Sequence, residues 1–262
     1  LKDKTKVAGR SCIVATGGTS RPETGSSGEG FMWLKKLGHT IVNTDVALVP
    51  IALNDAWVKK IAGITLQDIK LTPYHNGVKQ KAHKGKVLFT HFGMSGPTVL
   101  NMSKEIGEMI QYGDVTIMLD LFPNLDHSAL KKELQTLLVE GSNKRLKTVL
   151  ATLMPLALVT ALLTLLKING DTPNHSVRSE DRTAIITMMK SVPLHVSGLL
   201  GSEKAVVSSG GVALSEVNFK TMESRVIPHL YLIGDVLNID RPSGGYSLQL
   251  CWTTGYVAGN AC

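Results

Sequence analysis

The spacing of apolar positions changes along the chain and divides it into segments with strand-like and helix-like periods. Between 47 and 122, short apolar runs separated by turn residues recur at the spacing of a small β-barrel or sandwich. Between 126 and 190, apolar positions such as Leu130, Leu134 and Leu138 follow a 3.6-residue period, which predicts helices. Strand-like runs return beyond this segment. The pattern therefore predicts a helical segment nested within a β-rich one.

Both ends of the chain have the pattern of an α/β domain. Residues 11–18 are a short apolar strand that runs into Thr-Gly-Gly, and a short helix over 31–37 follows. Near the other end, the apolar run 230–233 is closed by Gly234-Asp235, which predicts a buried strand ending in a tight turn. We therefore expect the two ends to form one domain into which the middle of the chain is inserted.

One uncharged segment is about as long as a membrane span. Thr148 to Leu166 carries no charge for 19 residues, but Pro155 divides it into two short helical runs. Because polar helices are predicted on both sides, we interpret it as two core-facing helices, with the proline at the first position of the second.

Composition narrows the class of protein. The chain has 262 residues, of which 43% are apolar and 19% charged, as in globular proteins. A net charge of +7 permits an anionic partner, but lysine and arginine are scattered and aromatic residues make up only 5%. We therefore expect a solvated basic surface rather than nucleic-acid binding. Cys12, Cys251 and Cys262 have no metal-ligand spacing, which predicts a reducing cytoplasm and no metal site.

The segment near the end also carries candidate chemistry. Ligands of open α/β sheets lie beyond the carboxyl ends of strands, where Asp235 stands. The pair Gly244-Gly245 lets backbone approach a ligand and opens a helix whose free N–H groups favour negative charge. This order suits a polyhydroxylated cofactor that becomes anionic, and a reduced flavin with its ribityl chain fits that description.

Three other features leave alternatives open. The loop Ala15–Gly18 is as well explained by a plain turn as by a cofactor loop, and it is neither a GxGxxG fingerprint nor a P-loop. Gly210-Gly211 inside a strand pattern marks either a bulge or a place where a ligand nears the backbone. His91 is a conceivable catalytic acid or base, but a hydrogen-bonded structural histidine is the better interpretation.

Five ordered motifs give the chain a family resemblance over essentially its whole length. Together they resemble the second part of the BaiN/YhiN-like NAD(P)/FAD-dependent oxidoreductases, a family of flavoproteins. The motifs are 15–18 with 24–30, 88–97, 208–212, 221–224 and 244–246. The family usually has an acid at Asn238, Glu at Asp235 and Asn at Ser247, so this chain departs from it at three positions of the last segment.

The resemblance implies a fold class: α/β, as part of a two-dinucleotide-binding, Rossmann-like FAD domain. A β-barrel domain is inserted into it, and the barrel itself carries a helical insertion. The boundaries we expect are 1–46 and 227–262 for the FAD-binding domain, 47–122 and 192–226 for the barrel, and 123–191 for the helical insertion.

The same resemblance implies an activity. It is hydride transfer from NAD(P)H through FAD to an electron-poor, enone-like small organic acceptor. Tyr246 and His91 are weak candidates for the proton donor, and no catalytic residue is identified. The cofactor-binding residues that the motifs imply are Ala15, Thr16, Gly17, Gly18, Gly210, Gly211, Gly234, Asp235, Gly244, Gly245, Tyr246 and Ser247.

Two alternatives of other classes stay open: a flavin-binding module that does not turn over, and a basic RNA-associated protein. The family's N-terminal strand with its GxGxxG turn, which cradles the FAD pyrophosphate, precedes the part that this chain resembles. We therefore expect the chain to be a fragment that is inactive, that holds FAD weakly or not at all, and that self-associates through an exposed sheet edge.

Overall fold

The computed structural model of the chain describes residues 8–20, 22–42, 46–201 and 207–262. These residues form two units. The first unit combines the described residues up to Val49 with those from Leu200 onward, and the second unit is Pro50–Leu199. In sequence, the second unit therefore interrupts the first.

The elements of both units are numbered in chain order. The strands are β1 (Cys12–Val14), β2 (Ile41–Val42), β3 (Val46–Ala47), β4 (Ile51–Leu53), β5 (Thr65–His75), β6 (Val78–Lys79), β7 (His83–Thr90), β8 (Gly93–Ser95), β9 (Val115–Asp120), β10 (Val192–Leu199), β11 (Val207–Ser208), β12 (Gly211–Val212), β13 (Val217–Asn218), β14 (Glu223–Ser224) and β15 (Leu230–Leu232). The helices are α1 (Glu29–Lys36), α2 (Pro97–Ile110), α3 (His127–Glu140), α4 (Leu146–Leu150), α5 (Leu156–Leu165), α6 (Ser179–Lys190) and α7 (Tyr246–Gly259).

Six strands of the second unit close into an antiparallel barrel. Their order is β5-β7-β8-β4-β10-β9, and β9 pairs back to β5, so the ring has no open edge among these six; β6 is an appendage on β5. The short apolar runs 63–66 and 69–71 predict two strands where the structure has the single strand β5. Its register shifts between Leu66 and Ile69, and Asp68 at φ 48° forms the bulge that bends the strand around the barrel.

Helix α2 completes the barrel core. Its N-terminus follows Gly96, and it contacts all six barrel strands. Val99, Met102 and Ile106 recur at the helical spacing of three and four, and all three are fully buried. The apolar stripe of α2 is thus part of the same core as the inward side of the barrel strands.

The helical insertion lies between β9 and β10, as the periodicity predicts. It consists of α3 to α6, and no strand lies between Asp120 and Val192 in this fully described stretch. Asp126 caps α3 by accepting a hydrogen bond from the Ala129 N–H at 2.7 Å. Pro155 is the residue before α5 rather than its first. Within the described ranges, no helix has the length and apolarity needed to cross a membrane.

The first unit is built on a four-stranded sheet of order β1-β15-β14-β13, in which β1 and β15 are parallel. The sequence assigns 192–226 to the barrel, but the structure divides this segment. β10 joins the barrel, whereas β12 pairs with β2, and β13 and β14 belong to the sheet of the first unit. β12 belongs to the first unit because its backbone packs closely there. A Cβ on Gly211 would lie only 2.6 Å from the Val236 carbonyl oxygen.

Candidate cofactor-binding site

The predicted site residues at the two ends of the chain meet at one edge of the first unit's sheet. β1 and β15 run parallel with Val14 opposite Leu232, and the Ile233 N–H donates to the Val14 carbonyl at 3.2 Å. Because parallel strands end at the same edge, the loop Ala15–Gly18 and the turn at Gly234 leave the sheet side by side.

Glycine is required at position 234 by its backbone and by its neighbours. Gly234 has φ 68°, and its N–H donates to the buried Thr254 hydroxyl of α7 at 3.0 Å. A Cβ at this position would lie 3.1 Å from the sulfur of Cys251. The turn therefore packs directly against α7, and this contact sets where Asp235 stands.

The carboxylate of Asp235 forms an ion pair with Arg241, a residue that the sequence analysis does not single out. The Arg241 side chain is only 6% exposed. Its Nε donates to the Ser247 hydroxyl at 2.8 Å, and its guanidinium also donates to the Ile239 carbonyl. One arginine thus connects the turn after β15, the following loop and the first turn of α7.

The surroundings of Asp235 change the pKa of its carboxyl group. Burial raises the pKa of Asp235 above its ordinary value, and the positive charge and hydrogen bond of Arg241 oppose this shift without reversing it. Burial likewise raises the pKa of the neighbouring Cys251 thiol, to which the negative charge of Asp235 adds. A raised thiol pKa keeps Cys251 protonated, which disfavours a nucleophilic role.

The glycine pair opens α7 as predicted. Gly244 and Gly245 have φ 110° and 92°, and α7 begins at the next residue, Tyr246, without a side-chain cap on its backbone N–H groups. A Cβ on Gly245 would meet no atom within 4 Å. Backbone geometry, not packing, therefore requires glycine here, and the space beside the helix N-terminus is open.

The loop Ala15–Gly18 packs closely against neighbouring residues of the first unit. A Cβ on Gly30 of α1 would lie 1.9 Å from the Thr16 hydroxyl, and one on Gly17 would lie 2.9 Å from the Ser26 hydroxyl. The Thr16 hydroxyl is buried and has no hydrogen-bond partner among the described residues. A buried hydroxyl without a partner is unfavourable, so a polar ligand atom that reached this group would satisfy it.

Gly210-Gly211 has a different environment from the one that the resemblance suggests. The Asn238 N–H donates to the Val212 carbonyl at 3.1 Å, and a Cβ on Gly211 would meet the backbone of 236–238. The pair belongs to the first unit and not to the barrel. The close approach at Gly211 is therefore made by protein backbone.

The two proton-donor candidates lie in different units. Tyr246 is the first residue of α7, and its ring is exposed. His91 is exposed in the turn between β7 and β8 of the second unit. No hydrogen bond ties either side chain to a described partner, so the interpretation of His91 as a hydrogen-bonded structural histidine is wrong. Both residues remain candidates for the proton donor.

Sequence reasoning missed a polar network at the 221–224 motif. The His39 ring bridges Glu216, at 2.9 Å from Nδ1, and the Ser224 hydroxyl, at 3.0 Å from Nε2. Burial alone would raise the pKa of Glu216, but hydrogen bonds from Thr40 and His39 lower it. The Ser224 oxygen also accepts two backbone N–H bonds, and His39 is buried. The arrangement resembles a hydrolase triad, but its histidine is buried and its bonds hold loops of the first unit together.

The architecture is an α/β unit with glycine turns at one sheet edge, split in sequence by a closed barrel that carries helices. Residues 46–207 match the family described as "HI0933-like protein barrel and H2TH domain". The chain belongs to this HI0933-like family. The predicted resemblance and fold class are thereby confirmed, and the family is one of oxidoreductase-type flavoproteins.

Named relatives extend the comparison. The chain is 30% identical over 250 residues to a 3-dehydro-bile acid delta(4,6)-reductase of Clostridium scindens, covering 95% of this chain and 61% of that protein. It is also 30% identical to the ribosomal RNA dihydrouridine synthases of Escherichia coli, over 253 residues, and Haemophilus influenzae, over 254 residues. These alignments cover 94% and 95% of this chain but 58% and 59% of the two synthases. The chain thus spans about three fifths of each relative's length.

Proposed function

We propose that this chain is the flavin-facing part of an FAD-dependent reductase that saturates a conjugated C=C bond in a ring. The observation that carries the proposal is the shared sheet edge, where the Thr16 loop, the Asp235 turn and the open glycine start of α7 follow parallel strands. The names of the relatives support the reaction class. One is a delta(4,6)-reductase, and dihydrouridine differs from uridine by two hydrogens across a ring double bond conjugated to a carbonyl.

The residues at this edge fit a flavin. Bound FAD would supply a ring that accepts and donates hydride and that becomes negatively charged when reduced. The N–H groups at the start of α7 would offset that charge, since the space beside Gly245 is open. The unpartnered Thr16 hydroxyl and the partly exposed Asp235 carboxylate would bind hydroxyl or carbonyl groups of the cofactor.

Arg241 has a supporting role in this proposal. Its bond to Ser247 holds the guanidinium beside the first turn of α7, so its positive charge adds to that of the helix N-terminus. Its ion pair with Asp235 fixes the carboxylate at the strand end. The reductant would be NAD(P)H, in keeping with the resemblance.

Two acceptor classes are compatible with this reaction. A small enone-like molecule is the acceptor that the family resemblance implies, and a uridine within RNA is the second candidate. A specific observation favours the second: the sequence from 69 to 104 contains six lysines and no aspartate or glutamate. The lysines are therefore less scattered than overall composition suggests, and a polyanion is the substrate that such a stretch would attract.

Because the chain alone is expected to be inactive through weak FAD binding, the test supplies FAD in large excess, reduces it with NADPH without oxygen, and follows flavin absorbance when an acceptor is added. Reoxidation by an unsaturated ketone or by uridine-containing RNA, with the matching saturated product, is the expected result. Reduction without reoxidation by either acceptor would instead favour a module that binds flavin and does not turn over. Reduction of FAD by NADPH that is no faster with the chain than without it would contradict the proposal.

A further inference from the structure

The acid-free stretch places a run of lysines on the outside of the barrel. Four of its lysines lie close together in sequence on the β6–β7 segment, and all four are exposed. We call them the lysine edge: Lys79, Lys81, Lys84 and Lys86. No carboxylate forms an ion pair with any of them in the described part of the chain. The ammonium groups of these lysines are therefore available to contact an anionic partner.

The strand geometry directs two of these lysines outward together. On β7, Val87 and Phe89 are fully buried, so Lys84 and Lys86 occupy the opposite, solvent-facing side. Residues two apart on a strand are about 6.6 Å apart, which lets each ammonium contact its own phosphate. Lys70 stands opposite Lys84 in the register and pairs at 3.2 Å with Asp120, a carboxylate that it shares with Lys190 at 2.9 Å.

An exposed aromatic ring lies beside the β5–β6 hairpin, next to Lys79, whereas Lys84 lies opposite Lys70, about 16 Å along β5 from that hairpin. The Asn76 side chain at the β5–β6 hairpin donates to the Tyr112 carbonyl at 3.3 Å and accepts from the Asp114 N–H at 3.0 Å. These bonds fix Tyr112 beside the hairpin that carries Val78 and Lys79, and its ring is 77% exposed. A fixed, exposed tyrosine is a surface on which a nucleobase can stack.

We propose that the lysine edge and Tyr112 form a binding surface for single-stranded RNA, in which the lysines contact phosphates and the tyrosine stacks on a base. This inference rests on the RNA candidate of the proposed function and names the surface that would hold that substrate. Glu105 is paired with His83, but three exposed carboxylates border the surface. Glu108 and Asp114 lie near Tyr112 in the sequence, and Asp68 lies in the β5 bulge opposite Lys86. The four lysines outnumber these three carboxylates, so the surface is positive on balance.

RNA suits this surface better than an anionic membrane. Peripheral membrane surfaces combine basic residues with a broad band of large apolar side chains that enter the bilayer interface. Here a single aliphatic residue, Val78, is exposed among the lysines, whereas the aromatic ring of Tyr112 stands beside them. Stacking plus phosphate contacts is the combination that single-stranded nucleic acids use.

The experiment measures binding of the 262-residue chain to a fluorescent, uridine-rich RNA of about 16 nucleotides by anisotropy, at about 50 to 200 mM salt. Each lysine–phosphate contact contributes about 0.7 to the slope of log affinity against log salt. The double variant Lys84→Gln/Lys86→Gln should therefore lower the slope by about 1.4 and weaken binding about 25-fold at 0.1 M salt.

Matched variants distinguish a surface from net charge. Lys131→Gln/Lys132→Gln removes the same charge from exposed positions of α3 and should change affinity less than about 3-fold. Lys84→Arg/Lys86→Arg should retain binding. Tyr112→Ala should weaken binding about 5-fold or more without changing the salt slope, and Tyr112→Phe should restore it.

Three results would overturn the inference: no RNA binding by the unaltered chain, equal losses in the two lysine-to-glutamine pairs, or lysine-edge-dependent binding of phosphatidylserine vesicles in place of RNA. The measurement contains no flavin or reductant, so its failure leaves the flavin chemistry standing. Conversely, RNA binding by a chain that does not accelerate the reduction of FAD by NADPH would support the surface and reject the flavin chemistry.

Discussion

The two units of this protein differ in how their sheets end and in how their apolar side chains are covered. The six-stranded ring of the second unit pairs every strand on both sides, and one core joins it to the helical insertion. In the first unit, β1 is the outermost strand of its sheet, and α7 exposes Leu248, Trp252 and Tyr256 along one stripe. A barrel satisfies its own edges, whereas an open sheet leaves an edge strand available to partners. Strand edges open to pairing and exposed apolar stripes are thus distributed unequally between the units.

The largest effect that this comparison predicts is in the barrel core. Phe89→Ala removes a fully buried ring that packs near Trp57, with centroids 6.4 Å apart, and should lower the free energy of unfolding by about 3–5 kcal/mol. Tyr256→Ala, at an exposed aromatic position of α7, is the matched control and should change it by less than about 0.5 kcal/mol. Urea unfolding measures both, and equal effects would contradict the asymmetry.

The next effect concerns cofactor retention by the first unit. Asp235→Ala should weaken FAD binding by about 1–3 kcal/mol, because a charge-assisted hydrogen bond is lost. Asn260→Ala, beyond the other end of α7, should leave FAD binding unchanged. Quenching of flavin fluorescence during titration measures both. The unaltered chain should bind FAD more weakly than about 1 μM, since association must offset several kcal/mol of lost ligand freedom without a phosphate cradle.

Submicromolar, stoichiometric binding by the monomeric chain would refute that weak affinity. An unchanged FAD affinity in folded Asp235→Ala would show that the carboxylate does not contact FAD. The ion pair with Arg241 would then be its only role. The double variant Asp235→Ala/Arg241→Met separates these possibilities. It deletes both charges, so a loss beyond that of Asp235→Ala would assign a contribution to the arginine itself.

A smaller effect concerns the open edge. We expect the chain to self-associate through β1, whose Ile13 side chain is 42% exposed. Ile13→Lys places a charge on this edge strand and should shift the chain toward monomer, as edge lysines do in natural sheets. Val78→Lys, on the appended strand β6 of the barrel unit, is the control and should leave the association state unchanged. Sedimentation velocity across a concentration series measures the effect, and association that is insensitive to Ile13→Lys would place the contact elsewhere.

The two units also differ in how much of them the sequence predicts. Period and turn chemistry predict the helical insertion and the barrel strands, because the barrel core is built from local alternation of apolar residues such as Val87 and Phe89. The long strand β5 was missed as one element because the bulge at Asp68 interrupts its alternation. In the first unit, the parallel pairing of β1 with β15 joins residues more than 200 positions apart, and the motifs at both ends were needed to suggest it.

The sequence does not predict which side chains pair with one another in the candidate site. Asp235 was predicted as a ligand from its place at a strand end, but its ion pair with Arg241 depends on a loop that returns after six residues. The network of His39, Glu216 and Ser224 joins residues that lie 185 positions apart at most. Contacts of this kind follow from tertiary packing and leave no periodic signal. Glycine pairs are an exception. Gly210-Gly211 within a strand pattern predicts a bulge or a close approach to the backbone, and the structure shows a close approach at Gly211.

The smallest effect is a pH dependence of opposite sign in the two units. In the folded first unit the pKa of Asp235 is raised, chiefly by burial, so its neutral form is favoured relative to the unfolded chain. The resulting stabilisation is fully present below the unfolded pKa and is lost as pH rises through the folded pKa. In the second unit the pKa of Asp126 is lowered, chiefly by the hydrogen bond from the Ala129 N–H. Its contribution is present above the unfolded pKa and is lost as pH falls through the folded pKa.

Neutral variants isolate the two contributions. Asp235→Asn removes the titrating group, so the variant should gain stability relative to the unaltered chain as pH rises from the ordinary aspartate pKa of 3.8 toward neutrality. Asp126→Asn keeps a capping oxygen but no charge, and it should lose relative stability over the same rise. Thermal melts at a series of pH values, with each variant compared with the unaltered chain, measure the two slopes. Slopes of the same sign would mean that Arg241 outweighs burial at Asp235, and the carboxylate would then be held ionised at the sheet edge where we propose that the flavin binds.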